Sequence, residues 1–113
     1  MKAVGFKTSL SITAANSFID FETEKPSPQG RELLVKINAI AVNPVDYKIR
    51  QNAAKDTELA TPKIIGWDTC GVVEAIGNAA SLFKVGDEVY YAGDITKPGC
   101  NAEYQVIDER IVG

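Results

Sequence analysis

The chain contains no histidine. Neither a Ser-His-Asp nor a Cys-His catalytic set can be assembled from it alone, and no imidazole is present to ligate zinc. Cysteine is scarce too: Cys70 and Cys100 are the only two. Two distant thiols are a poor start for a metal site that must do without imidazole. No signal-peptide hydrophobic region follows Met1, so both thiols are expected to be reduced and the protein cytoplasmic. No apolar run is long enough to span a bilayer, so no membrane role is expected. Basic residues are not in excess: twelve Lys and Arg against fifteen Asp and Glu leave a net charge of -3. That balance gives no reason to expect nucleic acid or an anionic membrane as partner. A G-x-G-x-x-G fingerprint and a Walker A loop are both missing, so nothing here cradles a dinucleotide phosphate.

What is present is one domain's worth of ordinary globular sequence, 113 residues with 45% hydrophobic and 24% charged side chains. A core can form without disulfide staples at this length. The organising stretch is Lys63 to Tyr91. Cys70, Val72, Val73, Ala75 and Ile76 form an apolar run bounded by Gly66 and Gly77, which suits a buried strand. Lys84-Val85-Gly86-Asp87 is turn chemistry ahead of a second strand run, Val89-Tyr90-Tyr91. Gly66-Trp67-Asp68 stands where the first of these strands begins.

The rest of the chain reads as short strands separated by turn signals. Met1–Phe6, Phe18–Glu22 and Ala102–Asp108 are strand candidates, and residues 7–16, 24–31 and 92–101 are loops. Glu32–Val42 is the longest candidate. Val35, Ile37, Ala39 and Ala41 fall on one face, and Leu34, Lys36, Asn38 and Ile40 fall on the other, which predicts a half-buried strand of period two. Asn43-Pro44-Val45-Asp46 reads as a helix start. Asn43 is at the cap, Pro44 at the first helical position and Asp46 in the positive first turn. Val45 and Ile49, four apart, share one face of that short helix. Glu109–Gly113 trails off. Several short strands and one helix predict a mainly β fold, a barrel or sandwich.

Asn43-Pro44-Val45-Asp46-Tyr47-Lys48, Gly66-Trp67-Asp68 with Gly71-Val72-Val73, Phe83-Lys84-Val85-Gly86-Asp87-Glu88-Val89 and Ala102-Glu103-Tyr104 occur in that order. Together they resemble the N-terminal catalytic domain of the medium-chain dehydrogenase/reductase superfamily, most of all its quinone oxidoreductase-like and zinc-type alcohol dehydrogenase-like members. The resemblance covers essentially the whole chain. It implies a GroES-like, partly open β-barrel with a short helix, followed in a longer protein by a Rossmann domain that binds NAD(P)H. Residues 1–113 are then the N-terminal part of that protein, and are expected to be inactive alone. The implied reaction is hydride transfer to a small quinone, enone or other carbonyl acceptor. The resemblance also implies a homodimer or homotetramer for the full-length protein, built through the other domain.

The resemblance also frames the site. Zinc-using alcohol dehydrogenases carry cysteine where this chain has Asn43, and a His-Glu pair where it has Trp67-Asp68. An amide is a weak zinc ligand and an indole is none, so a zinc-free member is expected. Asn43 and Tyr47 are candidates to touch the cofactor and, with Lys48, to stabilise charge on the substrate oxygen. Lys48 stands where quinone-reducing relatives tend to place a tyrosine, so Tyr47 and Lys48 compete for the cleft. Trp67 and Asp68 are candidates for the substrate side, the indole as a flat wall. Each has a structural alternative: Asn43 as cap, Tyr47 as surface aromatic, Trp67 as core and Asp68 as an acceptor for backbone N–H groups. Cys70 reads as a buried small hydrophobe and Cys100 as a loop thiol. A free-standing GroES-like interaction module and a zinc alcohol dehydrogenase are the rival functions.

Overall fold

The computed structural model describes residues 1–113 and is mainly β, as expected. Its elements are β1 (Lys2–Gly5), β2 (Ile19–Glu22), β3 (Glu32–Ala41), α1 (Pro44–Asn52), β4 (Asp68–Ile76), β5 (Glu88–Tyr91), β6 (Tyr104–Asp108) and a closing 3-10 turn, Glu109–Ile111. β3 is the spine, paired antiparallel with β4 on one side and β6 on the other in a four-stranded order β5-β4-β3-β6. β1 and β2 form a separate antiparallel pair. Single bridges from Ala3 to Ala102 and from Phe6 to Lys63 tie that pair to the rest. No helix is long and apolar enough to cross a membrane.

Two apolar clusters hold the strands. Leu33 and Val35 of β3 meet Val73, Val89, Tyr91 and Ile107 in the larger one. Phe6, Ala54, Ile65 and Trp67 form the second, and Val45 and Ile49 of α1 pack onto it from the helix face read from their spacing. The one polar pair inside is satisfied: the Tyr91 hydroxyl donates to Gln105 Oε1 at 2.8 Å, and Gln105 Nε2 donates to the Pro98 carbonyl at 3.0 Å.

The clean alternation expected along Glu32–Val42 does not hold. Leu33, Leu34 and Val35 are buried in succession, and from Asn38 onward β3 is exposed. Two register shifts accompany this loss of alternation. Between Leu34 and Val35 the partner on β4 moves from Ala75 to Val73, leaving Glu74 extra; between Ile37 and Ala39 it moves from Gly71 to Cys70, leaving Asn38 extra. An inserted residue reverses the faces of the side chains that follow it on its own strand, so along β3 it is Asn38 that shifts the phase. The second half of β3 also lies beyond the reach of β6, which pairs only with Glu32–Lys36.

β4 is likewise half-buried rather than buried throughout. Thr69, Gly71 and Val73 point inward, while Cys70 is exposed, which corrects its expected place in the core. Cys100 shows the opposite error: the loop thiol is 1% exposed, and burial raises it to about 11. Gly71 marks a close approach of backbones, since a Cβ there would lie 2.2 Å from the Lys36 carbonyl oxygen.

The C-terminal residues do not trail off. Glu109 is 1% exposed, and its carboxylate accepts from the Ser81 and Leu82 backbone N–H groups, each at 2.8 Å, and from Arg31 Nε at 2.9 Å. Gly113 exchanges both backbone bonds with Tyr90, at 2.9 and 3.1 Å. The chain end therefore lies along β5, at the edge of the sheet opposite β6.

The Leu82 backbone N–H, aided by Arg31 and Ser81, holds the Glu109 carboxyl below its usual range against the opposing effect of burial. A depressed carboxyl stabilises the fold above its unfolded pKa and loses that contribution as pH falls through its folded pKa. Glu109→Gln should therefore unfold more easily than the wild type at pH 7, with a gap that narrows toward pH 3 in thermal melts. A gap that stays constant would contradict this account of the C-terminal anchor.

Candidate functional site

The site is built where β3 ends, α1 begins and β4 starts. Ala41 registers opposite Asp68, so the first residue of β4 sits beside the turn that carries Asn43 into the helix. The entry to β4 needs a glycine: Gly66 has φ +104, and a Cβ there would meet Asn101 Oδ1 at 2.6 Å and Cys100 Sγ at 2.9 Å.

Asn43 occupies the N-cap position in extended conformation, φ -130, ahead of Pro44. Its side chain makes no capping bond. The amide Nδ2 instead donates across to Asp68 Oδ2 and reaches the Ala41 carbonyl at 3.5 Å. The cap read from sequence is thus right in position and different in use. With Nδ2 engaged, the carbonyl oxygen is the amide's remaining free group. Asp68 accepts from this side-chain amide and not from a backbone N–H.

Helical spacing sorts the rest of α1. Asp46 and Arg50 point inward, each 4% exposed. Arg50 donates to the Leu10 carbonyl at 2.9 Å and lies over the Phe18 ring at 5.7 Å. Tyr47 is 52% exposed and Lys48 is also on the surface, and neither forms an ion pair or hydrogen bond through its side chain. Structure therefore brings Asn43 and Asp68 together and leaves Tyr47 and Lys48 as free groups on the same helix. An open apolar depression of about 580 Å³, lined by Ile40, Ala41, Cys70 and Tyr90, runs up to Asp68.

Trp67 does not wall that depression. It is 3% exposed, packs in the second core cluster, and donates Nε1–H to the Asp94 carbonyl at 3.0 Å. An indole has one donor and a large apolar face, and here both are used inside the fold. Its neighbour Asp68, the first residue of β4, lines the depression that Trp67 does not reach.

These donors fit zinc poorly. Asn43 is bound to Asp68, Trp67 has no lone pair to offer, Cys100 Sγ is buried against the Asp68 backbone carbonyl at 3.7 Å, and Cys70 lies on the exposed face. No three Cys, Asp or Glu side chains converge on one point. Sequence reading missed the inward turn of Asp46. Its i, i+4 spacing from Arg50, opposite the surface pair Tyr47 and Lys48, was the available signal.

Residues 29–112 match the alcohol dehydrogenase GroES-like domain family. A zinc-type alcohol dehydrogenase-like protein of Staphylococcus epidermidis is 44% identical over 112 residues, covering 99% of this chain and 32% of that protein. An NADPH-dependent alkenal/one oxidoreductase of Arabidopsis thaliana is 35% identical over 95 residues, 77% of this chain and 24% of its own length. Among solved structures, a Rhizobium etli protein provisionally described as a zinc-dependent alcohol dehydrogenase superposes with a TM-score of 0.93 at 49% identity, covering 100% of this chain and 32% of that one. The chain thus spans about a third of the length of the curated relatives it matches first.

A double-mutant cycle with Asn43→Ala and Asp68→Ala should return a coupling of about 1 kcal/mol in urea unfolding, the scale of a part-exposed bond to a carboxylate. Additive effects would mean that the two side chains do not depend on each other.

Proposed function

The chain belongs to the alcohol dehydrogenase GroES-like domain family, and from that membership we propose that it is the catalytic-domain portion of a zinc-independent, NAD(P)H-dependent oxidoreductase. Its acceptor is a small quinone, enone or other carbonyl compound. In this proposal a Rossmann domain elsewhere in the full-length cytoplasmic protein carries the cofactor's phosphates, and the barrel supplies one wall of the cleft between the two domains. The observation that carries the proposal is the locked Asn43–Asp68 pair, in which Asp68 lines an apolar depression, together with the unpaired Tyr47 and Lys48 on the helix that Asn43 precedes.

When bound, the nicotinamide supplies the hydride. This chain's residues hold and polarise. Negative charge develops on the acceptor's carbonyl oxygen, and preorganised donors lower the cost of that charge. The Tyr47 O–H and the Lys48 ammonium are the groups free to donate from α1. Asn43, fixed by Asp68, presents its carbonyl oxygen to a donor on the cofactor or substrate. Ile40 and Tyr90, at 44% and 70% exposure, provide the apolar wall first assigned to Trp67. The relative that acts on alkenals and alkenones supports an unsaturated carbonyl as acceptor.

The test is the full-length protein with NADPH and NADH against a panel of quinones, enones and aldehydes. At least one quinone or enone should be reduced, at a rate that prior treatment with a chelator leaves unchanged. Elemental analysis after purification without added metal should find no stoichiometric zinc, and residues 1–113 alone should not bind NADPH tightly. One zinc per chain, with activity lost on chelation, would overturn the zinc-independent proposal.

A further inference from the structure

Asp46 is the one buried side chain whose polar atom has no partner: Oδ1 is sealed from solvent with nothing to bond. A carboxylate in such a place must either find a cation or give up its charge. No cation is within reach. Arg50, one turn along α1, is taken up by the Leu10 carbonyl and the Phe18 ring. The other titratable groups facing Asp46 are Asp68, from the start of β4, and the Cys100 thiol, from the loop before β6. Asp68 repels a charge on Asp46, and an un-ionised thiol does nothing to neutralise one. Burial first, and then Asp68, push the Asp46 carboxyl above its ordinary range, with the Asn43 backbone N–H acting in opposition.

The position of Asp46 gives that proton a use. It is the third residue of α1, the place from which a side chain reaches back to the N-cap backbone. Asn43, at the cap, makes no side-chain cap of its own and extends its amide to Asp68. The Asp46 backbone N–H donates to the Asn43 carbonyl at 2.9 Å, which ties Asp46 to the Asn43 main chain while the Asn43 side chain works across the strands. A second charge beside Asp68 would compete for the Asn43 amide.

We propose that Asp46 is a positioning residue that holds a proton in place of a charge, and that through Asn43 it aims the Asn43–Asp68 pair at the open face. Neutral Asp46 carries its proton in the sealed space around the carboxyl and stays joined to Asn43 through the backbone bond. All negative charge in the cluster then rests on Asp68, where the Asn43 amide is directed.

The test compares Asp46→Asn and Asp46→Ala with the wild type in the full-length protein. Asparagine is the neutral isostere. A raised carboxyl contributes its stability below its unfolded pKa and loses it as pH rises through its folded pKa. Asp46→Asn should therefore match the wild type near pH 4 and exceed it at pH 8, the gap in melting temperature widening by about 2 °C or more. Asp46→Ala should be less stable than Asp46→Asn throughout. The activity arm rests on the oxidoreductase proposal: Asp46→Ala should raise KM more than it lowers kcat, and Asp46→Asn should restore KM. Asp46→Asn as unstable as Asp46→Ala at every pH, or a wild type that gains on Asp46→Asn as pH rises, would overturn the assignment. If no acceptor is reduced, the oxidoreductase proposal falls, and the melting temperatures still decide the state of Asp46.

Discussion

The ladder between β3 and β4 is the constraint on which the rest depends. Eight register pairs run from Leu33–Ile76 to Ala41–Asp68, and the last of them sets Asp68 beside the start of α1. A ladder that slipped by one residue would turn Asp68 inward and Trp67 outward, because side chains alternate along a strand. The indole would then lose the core, and the Asn43 amide would lose its acceptor. Gly71 keeps the two backbones close enough for that register, with Lys36 packed where a Cβ would stand.

Polar groups inside the barrel divide into two kinds. Glu109 is saturated, with two backbone N–H donors and Arg31 around one carboxylate, and it fastens the chain end to the residue 81–82 loop. It anchors because every donor is matched to a charge it can keep. Asp46 is the reverse case, a carboxyl of nearly equal burial with one oxygen unmatched. Unmatched buried polar atoms are rare in native folds because they cost stability. This one lies three residues along α1 from Asn43, whose side chain reaches across to Asp68.

Much of the fold was legible in residue chemistry. Strand runs, turn glycines and the Asn43-Pro44 helix start each depend on a few neighbouring residues, and all appear within a residue or two of their expected bounds. The helix simply continues to Asn52. Facing was harder to read. Asn38 and Glu74 are inserted at bulges, and nothing in their identity marks them as unpaired. The Asn38 insertion breaks the simple alternation along β3, and Leu34 is buried and Ile40 exposed where period two puts them together. The two cysteines exchanged their expected environments for a related reason: Cys70 lies on the outward phase of β4, and Cys100 lies in a loop that pairs with residues 64–66 and is thereby carried inside.

By itself the sequence determined the chemistry that is available: no imidazole, an amide and an indole at the positions that matter, and one β-rich domain with a single short helix. These follow from residue identity and from forces that act over a few positions along the chain. Only the tertiary structure decided that Asn43 would bond to Asp68, 25 residues away, in place of capping its own helix. It also decided that Trp67 would be core and that Asp46 would be buried without a partner. Those outcomes depend on which distant backbone lies alongside, and a single extra residue in a strand is enough to reverse them.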